Sequence, residues 1–187
     1  PAGWDDNRVV DTILPVKDIE GVHTANLGKL VRGEPGIRPV TPKSVIKILK
    51  ENGIQIAGKQ IAVLGRSANV GSPLALMLTR ENATVTVCHS HTPDIARITR
   101  SADIVVSAVG QRGFVTAEMV EPGSILVDVG ANVDENGRMV GDVAPEAAEK
   151  AAVVTAVPGG VGALTVAELF DNLRMICEEQ QKADRLA

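Results

Sequence analysis

Aromatic side chains are nearly absent from this chain of 187 residues, which has one tryptophan, two phenylalanines and no tyrosine. A role that requires tyrosine has no residue here to fill it. Cysteine is as scarce: Cys88 and Cys177 lie far apart in unlike contexts, without the spacing of a metal site or redox pair. Both are expected to be free thiols of a reducing compartment. Positive charge is not in excess, since the formal net charge is -4 and the pI is near 5.4. The basic residues are scattered, which argues against a nucleic-acid footprint. No apolar run approaches the length that spans a bilayer, and no basic-then-apolar leader opens the chain, so a cytoplasmic protein without a membrane partner is expected. With 44% hydrophobic and 22% charged residues, the chain can bury a core as one domain with appendages.

What is present is an alternation of strand and helix signals, the mark of a parallel sheet covered by helices. Strands are expected at 61–64, 83–87, 104–107, 124–129 and 153–156, and short helices at 94–100, 116–120 and 145–151. Asp134–Gly137 reads as a turn. Ahead of these lie a helix near Asp5–Ile13 and one opened by Thr41 as N-cap with Pro42 at its first position, stopping at Gly53. Between those two helices runs a long polar loop, 15–28, of a length that is often functional, with a simple interdomain connector equally open on composition alone. In the final helix, expected over 165–187, Val166, Leu169, Leu173 and Ile176 share one face. Glycines gather at the strand ends, where open α/β sheets bind ligands.

The stretch 59–90 carries the strongest chemical signal. A short apolar strand stops at Gly65, and Gly65, Ser67 and Gly71 leave room for close backbone approach before a helix with Pro73 in its first turn. Free N–H groups at that helix start are expected to face an anion. This approximates the dinucleotide fingerprint G-x-G-x-x-G, with serine in the middle and the last interval one residue longer; a ligand-free turn is the plain alternative. An acid about twenty residues on would hold the ribose 2′-hydroxyl of NAD. None is there: the second strand runs into Cys88-His-Ser-His-Thr92, and the next acid is Asp94. Arg66 and Ser90 could instead bond a 2′-phosphate, which favours NADP. On composition alone, Arg66 as a solvated turn residue and His89 and His91 as surface histidines stand equally open.

Several separate motifs then agree. Lys17-Asp-Ile-Glu-Gly21 with Asn26-Leu-Gly28, Thr41-Pro42, Gly65-Arg-Ser-Ala-Asn-Val-Gly71, Cys88-His-Ser90, Asp128-Val-Gly130, Gly141-Asp-Val143 and Pro158-Gly-Gly-Val-Gly162 match one family in order and spacing. The chain resembles the bifunctional methylenetetrahydrofolate dehydrogenase/cyclohydrolase family nearly end to end. The resemblance implies an α/β, Rossmann-type, mostly parallel sheet with helices on both faces, and terminal helices belonging to a second α/β domain. It divides the chain into a remnant of a folate domain (1–19), an NADP-binding domain (20–162) and a helix returning to the first domain (163–187). It further implies NADP as cofactor, tetrahydrofolate one-carbon derivatives as substrates, and a cytoplasmic homodimer. The reaction would be oxidation of 5,10-methylenetetrahydrofolate, then hydrolysis to 10-formyltetrahydrofolate.

The cofactor contacts implied by the resemblance are Gly65, Arg66, Ser67, Val70, Gly71, His89, Ser90, Val109, Gly110, Gly130 and Ala131. Among these, Arg66 and Ser90 would hold the 2′-phosphate. Pro158, Gly159, Gly160 and Val161 would line the folate side. Glu20, placed both as substrate contact and as the one catalytic residue in this chain, falls where the family has an aspartate that bonds the pterin edge; no metal is implied. The chain departs from the family at Ala163-Leu164-Thr165, and at Val40, where a cysteine is common. The family's acid/base lysine, its tyrosine one helical turn earlier and its Gln-Leu-Pro segment all precede the region that matches here. The expectation is a chain that binds cofactor with little turnover unless its own missing N-terminal fragment is bound. A non-catalytic nucleotide-binding module and a dehydrogenase for another carrier, such as a methanopterin, are the rival readings.

Overall fold

The computed structural model describes residues 6–185. Five strands form one parallel sheet: β1 (Gln60–Leu64), β2 (Thr84–Cys88), β3 (Ile104–Ser107), β4 (Ile125–Asp128) and, after a small hairpin, β7 (Val153–Val154). Their order across the sheet is β2-β1-β3-β4-β7. The hairpin pairs β5 (Asn132–Val133) antiparallel with β6 (Met139–Val140), closed by the expected Asp134–Gly137 turn. There the Asp134 carboxylate accepts the N–H groups of Asn136 and Arg138. The strands of this hairpin, two residues each and flanking a polar turn, carry too little pattern to be read from sequence.

The central strands of the sheet are buried on both faces, which is why β1 and β3 read as continuous apolar runs. Ile61, Val63, Ile104, Val106 and Val127 point to one core, shared with Val45 and Leu49 of α3 (Val40–Glu51), Leu74 and Leu78 of α4 (Gly71–Arg80) and Val161 of α7 (Val161–Asp184). Ala62, Leu64, Val105 and Leu126 point the other way, against Val115, Met119, Val120 and Ala147. Over that second core lie α5 (Ile95–Arg100) and α6 (Pro145–Lys150). Within α5, the expected start moves one residue: Asp94 is the N-cap, its carboxylate accepting from the Arg97 N–H. The helix expected at 116–120 is a single 3-10 turn, Ala117–Met119.

The front of the chain departs most from the sequence reading. The first helix, α1, is described over Asp6–Val10, and the expected start at Asp5 lies outside the described residues. The long loop contains a helix, α2 (Thr24–Arg32), capped by the His23 ring and closed by Gly33 in the left-handed region. Gly28 in its interior hides the helical period, because an interior glycine opposes helix formation by about 1 kcal/mol. Pro39, not Thr41, caps α3, so Pro42 stands at the third position, where its missing N–H costs no helical bond. Buried Asp18 organises the loop by accepting the N–H groups of Gly21 and His23 and the Asn26 amide.

At the far end, α7 begins four residues before the expected Thr165. Its buried face follows the expected one only in part: Ile176 is buried and Leu169 half-buried, but Leu173 and Val166 are exposed, and Val161, Glu168 and Asn172 are buried as well. Glu168 accepts from Lys43 (2.8 Å) and Lys47 (2.9 Å) of α3. The Asn172 amide donates to the carbonyls of Ile19 and Arg38, tying the loop to both helices. None of the described helices is long and apolar enough to cross a membrane.

Candidate dinucleotide site

The parallel register sets the strand tips level: Leu64 pairs with Cys88 on one side and with Ser107 on the other, and Ser107 pairs with Asp128. The chain leaves β1 toward β2 on one side and returns to β3 on the other. Two neighbouring strands whose connections diverge leave a crevice beyond their carboxyl ends. A cleft of about 530 Å³ lies there.

Its walls come from three strand ends. Leu64, Gly65, Arg66 and Ser67 follow β1, Cys88, His89 and Ser90 follow β2, and Ala108, Val109 and Gln111 follow β3, with Ile95 and Phe114 completing the lining. The tips are tied together, since the Gly65 N–H donates to Cys88 O and the Ala108 N–H to Leu64 O, both at 2.9 Å. The turn into α4 is tight for a steric reason: a Cβ on Gly71 would overlap the carbonyl oxygen of Gly65. Gly65 itself sits at φ 107°, a conformation that excludes other residues.

Electrostatically the cleft suits an anion. Arg66 is exposed at its wall and pairs with no carboxylate among the described residues, and no aspartate or glutamate is among the lining residues. Ser67 and Ser90 add hydroxyls beside it. The expectation of free N–H groups at the helix start is corrected, because Ser67 already takes them: its Oγ accepts from Val70 and Gly71 at 3.3 and 3.4 Å, and its carbonyl from Ser72 at 3.0 Å. An anion here is met first by side chains. The His89 N–H donates to Thr92 Oγ1 and its Nδ1 accepts from the His91 N–H, so the turn after β2 is self-braced. Burial pushes the Cys88 thiol up, keeping it protonated and inert at the cleft base.

The structure thus brings Gly65, Arg66, Ser67, His89, Ser90 and Val109 to one cleft. Val70 and Gly71 stand behind it as the N-cap and first residue of α4. Gly110, Gly130 and Ala131 are not among its lining residues. Gly130 instead packs on Asp142, where no Cβ would fit. Pro158 and Gly159 are exposed after a cis Val157–Pro158 bond, Gly160 is buried, and the Val161 side chain lies in the core, leaving only its backbone to meet a ligand. Glu20 is exposed in the loop before α2, without a partner for its carboxylate among the described residues. Ile95, Gln111 and Phe114 were not read from sequence; the one available signal was their position just past a strand end or helix start.

Comparison with known proteins places this geometry. Residues 39–181 match the family model described as tetrahydrofolate dehydrogenase/cyclohydrolase, NAD(P)-binding domain. The bifunctional protein FolD 2 of Syntrophomonas wolfei subsp. wolfei is 52% identical over 179 residues, covering 96% of this chain and 66% of the relative. FolD of Methanospirillum hungatei is 51% identical over 173 residues, covering 92% of this chain and 62% of its own length. The chain therefore spans less than two thirds of these relatives. Among solved structures, the FolD methylenetetrahydrofolate dehydrogenase/cyclohydrolase of Campylobacter jejuni superposes with a TM-score of 0.91 at 39% identity, over 96% of this chain and 64% of that one. The Trypanosoma brucei enzyme, solved with NADP cofactor and an inhibitor, gives 0.88 at 41% identity over 96% and 64%. With the family model matching most of its length and a cleft at the sheet's switch point, this chain belongs to the tetrahydrofolate dehydrogenase/cyclohydrolase family and carries its NAD(P)-binding domain.

Proposed function

We propose that the cleft binds NADP. In the whole protein it would serve the oxidation of 5,10-methylenetetrahydrofolate to the methenyl form, with hydrolysis to 10-formyltetrahydrofolate following. The observation that carries the cofactor choice is the unpaired Arg66 guanidinium beside Ser90 in a cleft with no lining carboxylate. An acid at that place would repel a 2′-phosphate, whereas a guanidinium forks onto one. The relative solved with NADP supports the same reading.

When bound, NADP supplies a hydride acceptor. This chain's own residues bind and orient it: Arg66 and Ser90 anchor one end, and the level tips of β1 and β3 set how deep it lies. Glu20 would accept N–H donors of the pterin edge, and the 158–161 segment would form the folate wall. Hydrolysis needs a proton acceptor of matched pKa, which this reading places in the length of the relatives that the chain does not span. It also places the protein in the cytoplasm as a homodimer, and follows the family in treating 163–187 as a helix shared with a folate domain.

The test is a titration of this chain with NADP and NAD in parallel, followed by NADPH formation from 5,10-methylenetetrahydrofolate in the whole-length protein. Binding of NADP at least tenfold tighter than NAD, with turnover only in the longer protein, is expected. Equal affinity would overturn the cofactor choice, and NADP binding without turnover in the longer protein would overturn the reaction.

A further inference from the structure

Asp142 lies between β6 and α6, fully buried, and five donors converge on its carboxylate. Oδ2 accepts from Ser107 Oγ at 3.0 Å and from the N–H groups of Val109 at 2.9 Å and Gly110 at 3.2 Å. Oδ1 accepts from the Gln111 N–H and the Asn132 amide, both at 2.9 Å. Asp142 is itself held from β4: its N–H and that of Val143 donate to the Asp128 carboxylate, each at 2.9 Å. Gly141 can only be glycine here, because a Cβ would overlap that carboxylate.

A carboxylate without water is tolerated only when donors fully satisfy it, and each such bond is stronger than a neutral one. Three of the five donors are consecutive amides of the loop that follows β3, and Val109 and Gln111 line the cleft. With the Ala108 N–H already given to Leu64 O, the four amides from 108 to 111 are all engaged inside the protein. That wall has no N–H left for a ligand.

We propose that Asp142 is a positioning residue of the dinucleotide cleft: it fixes the Val109–Gln111 wall and, by consuming its amides, directs the phosphates to the opposite wall of Arg66, Ser67 and Ser90. This rests on reading the cleft as a dinucleotide site. The role is one of shape, exerted without touching the ligand.

Amide hydrogen exchange and NADP titration on the same chain test it, comparing D142A, D142N and a core control, V45A, whose side chain is buried beside α4 and away from the cleft. In the unsubstituted chain the Val109, Gly110 and Gln111 amides are expected to be protected although they flank an open cleft. D142A should expose all three and weaken NADP at least tenfold. D142N keeps one acceptor oxygen, so it should restore protection of Val109 and Gly110 and part of the affinity. V45A should lose thermal stability yet bind within about twofold, as its cavity lies in the core. Unprotected loop amides in the unsubstituted chain would overturn the anchor even if no Asp142 variant folds. D142A binding as V45A does would overturn the positioning role alone, while an unsubstituted chain that binds no NADP would overturn both the role and the reading beneath it.

Discussion

Arg66 is the cation that the cleft presents without a partner, and its chemistry separates two nearly identical ligands. With NADP bound as proposed, removing it would leave the contacts to the rest of the dinucleotide in place but strip the charge opposite the 2′-phosphate. Arg66→Ala is therefore expected to raise the NADP dissociation constant at least tenfold, about 1.4 kcal/mol, while NAD affinity stays within twofold; paired titrations give the ratio directly. A parallel loss for both ligands would mean that Arg66 meets the pyrophosphate instead. At this scale the sequence was readable wherever one residue type has one physical use. Gly71 was expected to leave room for close backbone approach, and the backbone that approaches it is the Gly65 carbonyl. Ile95 and Phe114 reach the cleft through tertiary packing, and no local pattern marks them.

Among the elements, the pairing of α3 with α7 shows why hydropathy misjudged a helix face. The expected apolar stripe of α7 leaves Phe170 66% exposed next to Val166 and Leu173, whereas Glu168, only 4% exposed, sits in the seam. A carboxylate in a seam carries no hydrophobic signal; only its pairing with lysines on another helix explains it. Burial by itself would raise Glu168, but hydrogen bonds from Lys43 and Lys47 and their charges outweigh it and hold the carboxyl below the usual glutamate range. A carboxyl depressed in the folded state stabilises fully above its unfolded pKa, near 4.3, and that contribution is lost as pH falls through the folded value. Glu168→Gln is expected to cost about 2 kcal/mol at neutral pH. It should also flatten the loss of stability below about pH 4.3, as urea midpoints from pH 3 to 7 would report. An unchanged acid limb would assign the acid sensitivity to other carboxylates. The short hairpin and α2 escaped the sequence for separate reasons: the hairpin's two-residue strands flank a polar turn without an apolar run of their own, and Gly28 interrupts the period of α2.

For the whole molecule, the alternation of strands and helices was enough to give a parallel sheet, all five of its strands and the end that carries the cleft. Strand order was not readable, because it depends on which way each crossover turns, and it is the order β2-β1-β3 that makes the cleft. A ligand that occupies this cleft only in the folded state must stabilise the entire sheet. NADP at one hundred times its dissociation constant is expected to add about 2.7 kcal/mol, a rise in Tm of roughly 5–11 °C for a chain of this size. Differential scanning fluorimetry across a cofactor series would check it. A Tm that ignores NADP while titration shows binding would mean a site outside the cooperative fold.

The sheet's order also sets a timetable. β1, β2 and β3 are consecutive in the chain and adjacent in space, with β2 at one edge, so the sheet extends in one direction, toward β4 and β7, from a block that a ribosome delivers before them. All the cleft's lining residues have emerged by Phe114, but Asp142 follows roughly thirty residues later, about 1.5–6 s at ordinary synthesis rates. For that interval the Val109, Gly110 and Gln111 amides of the far wall lack the carboxylate that accepts them in the finished fold, and on the role proposed for Asp142 the pocket would acquire its final shape only once the chain beyond the hairpin arrives.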